Sequence, residues 1–243
     1  MVANWTAAEF ALMRALSVQV QGTTLDQIAR MLFSHEQSPL QRAEQALERM
    51  TATGLIESRV VETHPLEQLA KPLFVWKPGD PHPNDQKLKK LSHRACSRWT
   101  LPPVVQTIYV ATQYAARSFG AFVDSRRVKP CEATHNIHLA EVFVYYSVRR
   151  PRMAAMWLGE GAFPKLGFDI KGMKDPDAYL INPTGTADRV IEFAGSYSAD
   201  HLAHFHSHCA GSAARKLSHF CRAHRNCHLA RLYAPQGTSY ELW

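Results

Sequence analysis

The sequence predicts an α+β chain in two parts, a small helical module that ends in a β-hairpin and then an α/β layer domain. Three observations carry this. Helix-start signals recur three times within the first forty-one residues, each followed by apolar residues at helical spacing. After Gly54 the pattern changes to the alternation of a strand. Beyond the loop Pro78-Gly79-Asp80-Pro81-His82-Pro83, helical stretches alternate with short strand patterns. A length of 243 residues suits one large domain or two small ones, and 46% hydrophobic with 20% charged residues is enough to bury a core.

The helix starts are Thr6 with Glu9, Thr24 with Gln27, and Ser38 with Gln41. In each, the hydroxyl can accept the N3 amide while the Glu or Gln reaches back. Pro39 occupies a first helical position, where its missing N–H costs nothing. The first helix is expected to bury Phe10, Met13 and Leu16, and the second Leu25, Ile28, Ala29 and Leu32. The third is expected to bury Leu40, Ala43, Leu47 and Met50. Gly54 ends it in a left-handed conformation. Leu55 to Val61 then reads as a strand, and Pro72 to Trp76 as its hairpin partner.

Three helices and a hairpin in that order make a winged helix-turn-helix, whose third helix enters the major groove. The outward residues there are Gln41, Arg42, Gln45 and Arg49, with Arg59 and Lys71 flanking the wing. The same module can serve protein contact or homodimerisation. Glu44 and Glu48 share the third helix, and residues 1–83 carry a net charge of −2.

The whole chain is basic, +7 with a pI near 9.3, which points to an anionic partner and first to double-stranded DNA. The excess sits in residues 84–133, at +6. Residues 86–99 read as a basic helix with Lys87, Lys89, Lys90, Arg94 and Arg98, and Arg126, Arg127 and Lys129 follow. This surface fits phosphate contacts or a merely solvated face. No apolar run spans a bilayer, since Leu139 to Val148 is short and contains Glu141. The start lacks a basic-then-apolar signal, and five cysteines in no framework spacing suit a reducing cytoplasm. Membrane partners are not expected.

The remaining elements read as helices over 104–119 and 135–148, then a strand from Met153 to Leu158 ending at Gly159-Glu160. Helices follow over 198–209 and 213–224, with closing strands at 229–233 and 240–243. The expected ranges are 1–83 for the winged helix, 84–133 for a basic helical linker and 134–243 for the α/β domain.

Two strands near the middle of that domain carry the chemistry. Lys174-Asp175-Pro176-Asp177-Ala178-Tyr179-Leu180 and Arg189-Val190-Ile191-Glu192-Phe193 are joined by the turn Asn182-Pro183-Thr184-Gly185. Asp177 and Glu192 are the candidate metal ligands and catalytic carboxylates, with Glu160 a third and Asp175 a substitute for Asp177. Paired carboxylates of this kind can hold Mg²⁺ or Mn²⁺ beside a phosphodiester. The pattern resembles the PD-(D/E)xK nucleases, in which Glu-x-Lys follows on the second strand. Here Ala194 stands at the lysine position. Lys171, Lys174 or Arg189 could replace the missing charge in space. The expected domain is therefore nuclease-like but degenerate, and an active metal-dependent endonuclease or nickase is the alternative.

The order of motifs, with Thr134-His135-Asn136-Ile137-His138, Trp157-Leu158-Gly159-Glu160, Lys174-Asp175-Pro176-Asp177 and Val190-Ile191-Glu192-Phe193, resembles the replication-relaxation family in its planctomycete-type form. Gly195-Ser196-Tyr197-Ser198, Phe205-His206 and the ending Tyr240-Glu241-Leu242-Trp243 continue the likeness. The resemblance implies a winged helix joined to a PD-(D/E)xK-like domain and a role linked to DNA replication or relaxation on plasmids or mobile elements.

Residues 201–228 are rich in imidazole and thiol: His201, His204, His206, His208, Cys209, His219, Cys221, His224, Cys227 and His228. His204 and His208 share a helix face, as Cys221, His224 and His228 do, so a zinc site is conceivable. The spacing fits no zinc-finger pattern and lacks a CxxC pair. The expectation is two amphipathic helices with Leu202, Phe205, Leu217 and Phe220 buried and no zinc.

Overall fold

A computed structural model describes residues 5–67, 69–121, 132–159, 162, 176–183, 187–210 and 239–243. The protein is mixed α+β and divides into two compact units. The first comprises Met1–Gln68, Leu101–Ala155 and Gly159–Leu166, and the second Leu69–Thr100, Met156–Leu158 and Gly167–Trp243. Residues 69–83, expected in the first module, thus belong to the second unit, and residues 104–111, expected in a linker, belong to the first.

In the first unit, helix α1 (Ala7–Arg14) starts at the reciprocal Thr6–Glu9 capping box and runs into a π-helical turn at Ala15–Gln19. Helix α2 (Leu25–Leu32) starts at the Thr24–Gln27 box. Helix α3 (Pro39–Ala52) has Pro39 in its first turn, but the Ser38 side chain makes no cap bond. Thr6 and Thr24 have ψ near 160°, which aims the hydroxyl at N3, whereas Ser38 has ψ 72°. Met13, Leu16, Ile28, Ala43, Leu47 and Met50 are buried as expected.

Leu25 and Leu32 are only half-buried, and Phe10 and Leu40 are not buried; they are 54% and 51% exposed. The buried stripe of α1 is Glu9, Leu12 and Met13, so Phe10 is turned outward, where it packs against Trp5 and Phe119. In α3 the buried stripe begins at Ala43, one turn beyond Leu40.

Gly54 takes φ 71°, the left-handed turn that ends α3. Strand β1 (Ile56–Thr63) follows, but its partner is not the segment 72–76. It pairs antiparallel with β3 (Val104–Ala111), from Ile56↔Ala111 to Thr63↔Val104. The expected helix 104–119 is therefore a strand for its first eight residues, and only α5 (Gln113–Ser118) is helical, capped by Thr112. Val104, Val105, Thr107, Ile108, Tyr109 and Val110 are β-branched or aromatic, and the pleat accommodates them better than a helix does. Thr23 bridges Tyr109 on the other edge of β3.

Helix α6 (Ala133–Arg149) lies against α2 through a half-buried ionic tie. Arg30 donates from Nη1 and Nη2 to the Glu141 carboxylate at 2.8 and 2.6 Å, and Gln27 donates to the same carboxylate and to the Ile137 carbonyl. A short helix, α7 (Pro151–Ala154), closes this stretch, where the beginning of a strand had been expected.

The second unit is built on a five-stranded sheet. Its strands are β2 (Phe74–Trp76), β4 (Trp157–Gly159), β5 (Ala178–Ile181), β6 (Ala187–Glu192) and β7 (Ser239–Leu242), in the order β2-β7-β6-β5-β4. β6 and β7 run parallel; β2–β7 and β5–β6 are antiparallel. Helix α4 (Asp85–Cys96) starts at Asn84, whose side chain accepts the Lys87 amide. It packs Leu88, Leu91 and Ala95 into one core with Leu202, Phe205 and Cys209 of α8 (Ala199–Ala210) and with Trp76, Val190, Tyr240 and Leu242. The basic helix expected as a linker is thus part of this unit's core. The expected elements at 213–224 and 229–233 lie outside the described residues. Among the described residues, no helix is long and apolar enough to cross a membrane.

Candidate functional site

The β5–β6 register, Ala178↔Ile191, sets Asp177 opposite Glu192 as the sequence suggested. The structure also shows what holds them. The Phe193 N–H donates to Asp177 Oδ2 at 2.6 Å, the Asp177 N–H donates to Glu192 Oε2 at 3.3 Å, and the Tyr197 hydroxyl donates to Glu192 Oε1 at 2.6 Å. Glu192 is fully buried and Asp177 is 5% exposed. The two carboxylates therefore lock the ends of neighbouring strands, with donors of the chain on the oxygens a metal would use. Tyr197 is itself fixed: its ring stacks on His201 at 4.2 Å, and its carbonyl accepts Ser92 Oγ at 2.7 Å. The Cys209 thiol is pushed up by burial and by the nearby Glu192 charge, so it stays neutral.

Ala194 lies in the core formed by α4, α8 and the sheet, so the lysine position of the nuclease pattern has no route to a phosphate. Arg189 does not stand in for it. Three residues before Glu192 on β6, it takes the opposite face of the strand and pairs with Glu241 of β7, which also accepts from the Trp243 indole. Glu160, Asp175, Lys171 and Lys174 lie outside the described residues, as do His219, Cys221, His224, Cys227 and His228. Among the described residues, no three His, Cys, Asp or Glu side chains gather as metal ligands. His204 is exposed on α8, while His206 on the same helix is buried.

The basic candidates separate into two kinds. On α3, Gln41 and Arg42 are exposed, yet Arg42 is paired with Glu36 at 3.2 Å and donates to Gln45 at 3.3 Å. Arg49 is paired with the buried Glu9 of α1 at 2.7 Å. Arg59 pairs with Glu57 on the face of the ribbon that carries Val61, which packs on Ile108 and Val110, so it does not extend from the wing. Lys71 belongs to the second unit.

On α4, Lys87, Lys89, Lys90 and Arg94 are all exposed, while Leu88, Leu91 and Ala95 are buried. Lys87, Lys90 and Arg94 follow one another at helical spacing, and the Lys87 ammonium lies 5.4 Å from the Phe74 ring centroid. Among the described residues, no ion pair involves these four cations.

Two features escaped the sequence reading. The Tyr197 cover on Glu192 follows five residues later, at a spacing with no motif attached to it. The contact of His82 with His206 joins residues 124 positions apart, which no local pattern can reveal.

No family model matches this chain, and neither does any curated protein or solved structure.

Proposed function

We propose that this protein binds double-stranded DNA and does not cleave it. The observation that carries the reading is α4, a helix whose four outward cations have no described carboxylate partner. Such a face suits a phosphate backbone, where each neutralised phosphate releases counterions. The first unit supports the reading. Its three helices, the Thr23 bridge and the β1–β3 ribbon have the order of a winged helix-turn-helix, with residues 64–103 forming an unusually long connection between the ribbon strands. The second unit, a sheet with two packed helices and a carboxylate pair, suits a degenerate PD-(D/E)xK-like domain. The resemblance to replication-relaxation proteins supplies the setting: cytoplasmic plasmid or mobile-element DNA.

The hydrogen-bonded, buried state of Asp177 and Glu192 argues for a strand-locking role over Mg²⁺ or Mn²⁺ catalysis. The test is binding and cleavage of supercoiled plasmid with and without Mg²⁺ or Mn²⁺. Salt-sensitive binding without nicking is expected, and robust metal-dependent nicking would overturn the reading. Ala194→Lys, which would restore the nuclease pattern, is expected to lower stability by about 3 kcal/mol or more, because it buries an unpaired ammonium. Urea denaturation measures this.

A second reading is favoured by the paired arginines of α3 and by the exposed Phe10 and Leu40. In it the first unit contacts protein, a second copy included, and α4 alone contacts DNA. A protein that dimerises and loses all DNA affinity when the α4 cations are removed would favour it.

A further inference from the structure

Just ahead of α4, the segment Pro81-His82-Pro83 meets α8 through a pair of imidazoles. His82 Nδ1 lies 2.7 Å from His206 Nε2, and His206 Nδ1 lies 2.9 Å from the Tyr240 hydroxyl of β7. Both ring nitrogens of His206 are thus engaged in a ring only 7% exposed, whereas His82 is exposed. Trp76 of β2 stacks on His82 at 5.9 Å and meets the His206 ring edge-on at 5.2 Å.

Counting protons fixes what this arrangement can do. With both rings neutral, one of the two facing nitrogens carries a hydrogen and the other accepts it. One added proton can reside on His82. Its Nδ1–H then donates to His206 Nε2, and the bond becomes charge-assisted. A second proton has to go to His206 Nε2. That sets two N–H groups and two positive charges against each other across 2.7 Å, and the bond is lost.

We infer that the His82–His206 pair is a proton-operated latch, closed with one added proton or none and opened by the second, that pins the start of α4 to α8. His82 stands two residues before Asn84, the residue that caps the first turn of α4 and fixes the Lys87 amide. Opening the latch releases the approach to the helix that carries the four cations.

The surroundings suit such a device. Burial first, and then the neighbouring His82, hold His206 below the ordinary imidazole value of 6.5. The second proton is therefore taken up only in acid. The Tyr240 phenol, from β7, is pushed far up by burial and stays protonated throughout. Cys209, one turn along α8, stays neutral. The face of α4 packed in this core is apolar, Leu88, Leu91 and Ala95, and Trp76 of β2 does not titrate. Asp80 is the carboxylate of the loop itself, accepting the Lys77 amide at 2.9 Å, and Asp85 lies in the first turn of α4.

The experiment is hydrogen exchange of the hydrogen-bonded amides on either side of the latch, Lys77, Asp80, Lys87 and Leu88, in the full chain, corrected for intrinsic rates, from about pH 7.5 to about pH 4.5. The unmodified protein should lose protection as pH falls below 6.5, by up to about tenfold per pH unit. His82→Gln, at an exposed position, should remove that step, and Asp80→Asn should retain it. An absent step in the unmodified protein, a step that survives His82→Gln, or one that vanishes in Asp80→Asn overturns the latch. Imidazole NMR gives an independent reading. His206 should titrate lower in the unmodified protein than in His82→Gln, and identical titration in the two also overturns it.

Discussion

Helices α3 and α4 look alike in sequence and differ in what they leave available. Each is amphipathic, each buries an apolar stripe, and each shows arginine or lysine outward. On α3 the arginines are already spoken for, Arg42 by Glu36 and Arg49 by Glu9. On α4 the one acidic residue, Asp85, sits in the first turn, where it favours the helix dipole, and the four cations beyond it face outward without a described ion-pair partner. A count of basic residues therefore overstates the charge a helix can offer. An arginine in an ion pair has to leave its carboxylate before it can meet a phosphate, and the loss offsets the gain.

The largest effect is expected on α4. Replacing Lys87, Lys89, Lys90 and Arg94 together with Ala should lower the slope of log affinity against log salt by about 3 to 4, with a matching loss of duplex DNA affinity at low salt. Fluorescence anisotropy over a salt series measures both. The double change Arg42→Ala and Arg49→Ala should move the slope less, and a larger shift from α3 than from α4 would invert the comparison.

Arg49→Ala should act on stability. It leaves Glu9, 5% exposed, with only the Thr6 donors, and a loss of about 1–2 kcal/mol is expected in urea denaturation. The pH dependence follows. Burial pushes the Glu9 carboxyl up, but the Thr6 amide and hydroxyl and the Arg49 guanidinium outweigh it and hold the group below its ordinary value of 4.5. Its stabilising contribution is therefore present above that value and is lost as pH falls through the lower folded value. Arg49→Ala should shrink the loss tied to Glu9 protonation, and the variant, less stable at neutral pH, should unfold in acid at a higher pH. If the two acid transitions coincide, the Glu9–Arg49 pair is not a stabilising contact.

The smallest effect is expected at Arg42. Its pair with Glu36 is exposed on both sides, so Arg42→Ala should change stability by less than about 0.5 kcal/mol. A pronounced loss of site preference with little loss of nonspecific affinity would show that α3 reads bases despite its pairing.

Much of this was legible in the chain because it is local. Thr6 and Thr24 cap helices through residues three positions on, the stripe from Ala43 to Met50 follows the helical period, and Gly54 supplies the left-handed residue its turn needs. Asp177 and Glu192 were also legible as neighbours, since a short connection between two strands fixes which ends meet. The exposed face of α4 could be read from the spacing of Leu88, Leu91 and Ala95 alone.

The rest was settled by partners distant in sequence. Residues 72–76 and 104–111 both have strand composition, and the nearer one was the natural hairpin partner of β1. Long-range pairing gave β1 to Val104–Ala111 and Phe74–Trp76 to β7, because each strand fits where its apolar face is covered. The role of a charged or polar side chain was decided the same way. Sequence determined which groups this protein has and on which face of its own element each lies. Only the tertiary structure decided that Arg49 meets Glu9, that Tyr197 covers Glu192 and that His82 meets His206, because a hydrogen bond depends on ångströms in space and not on positions along the chain.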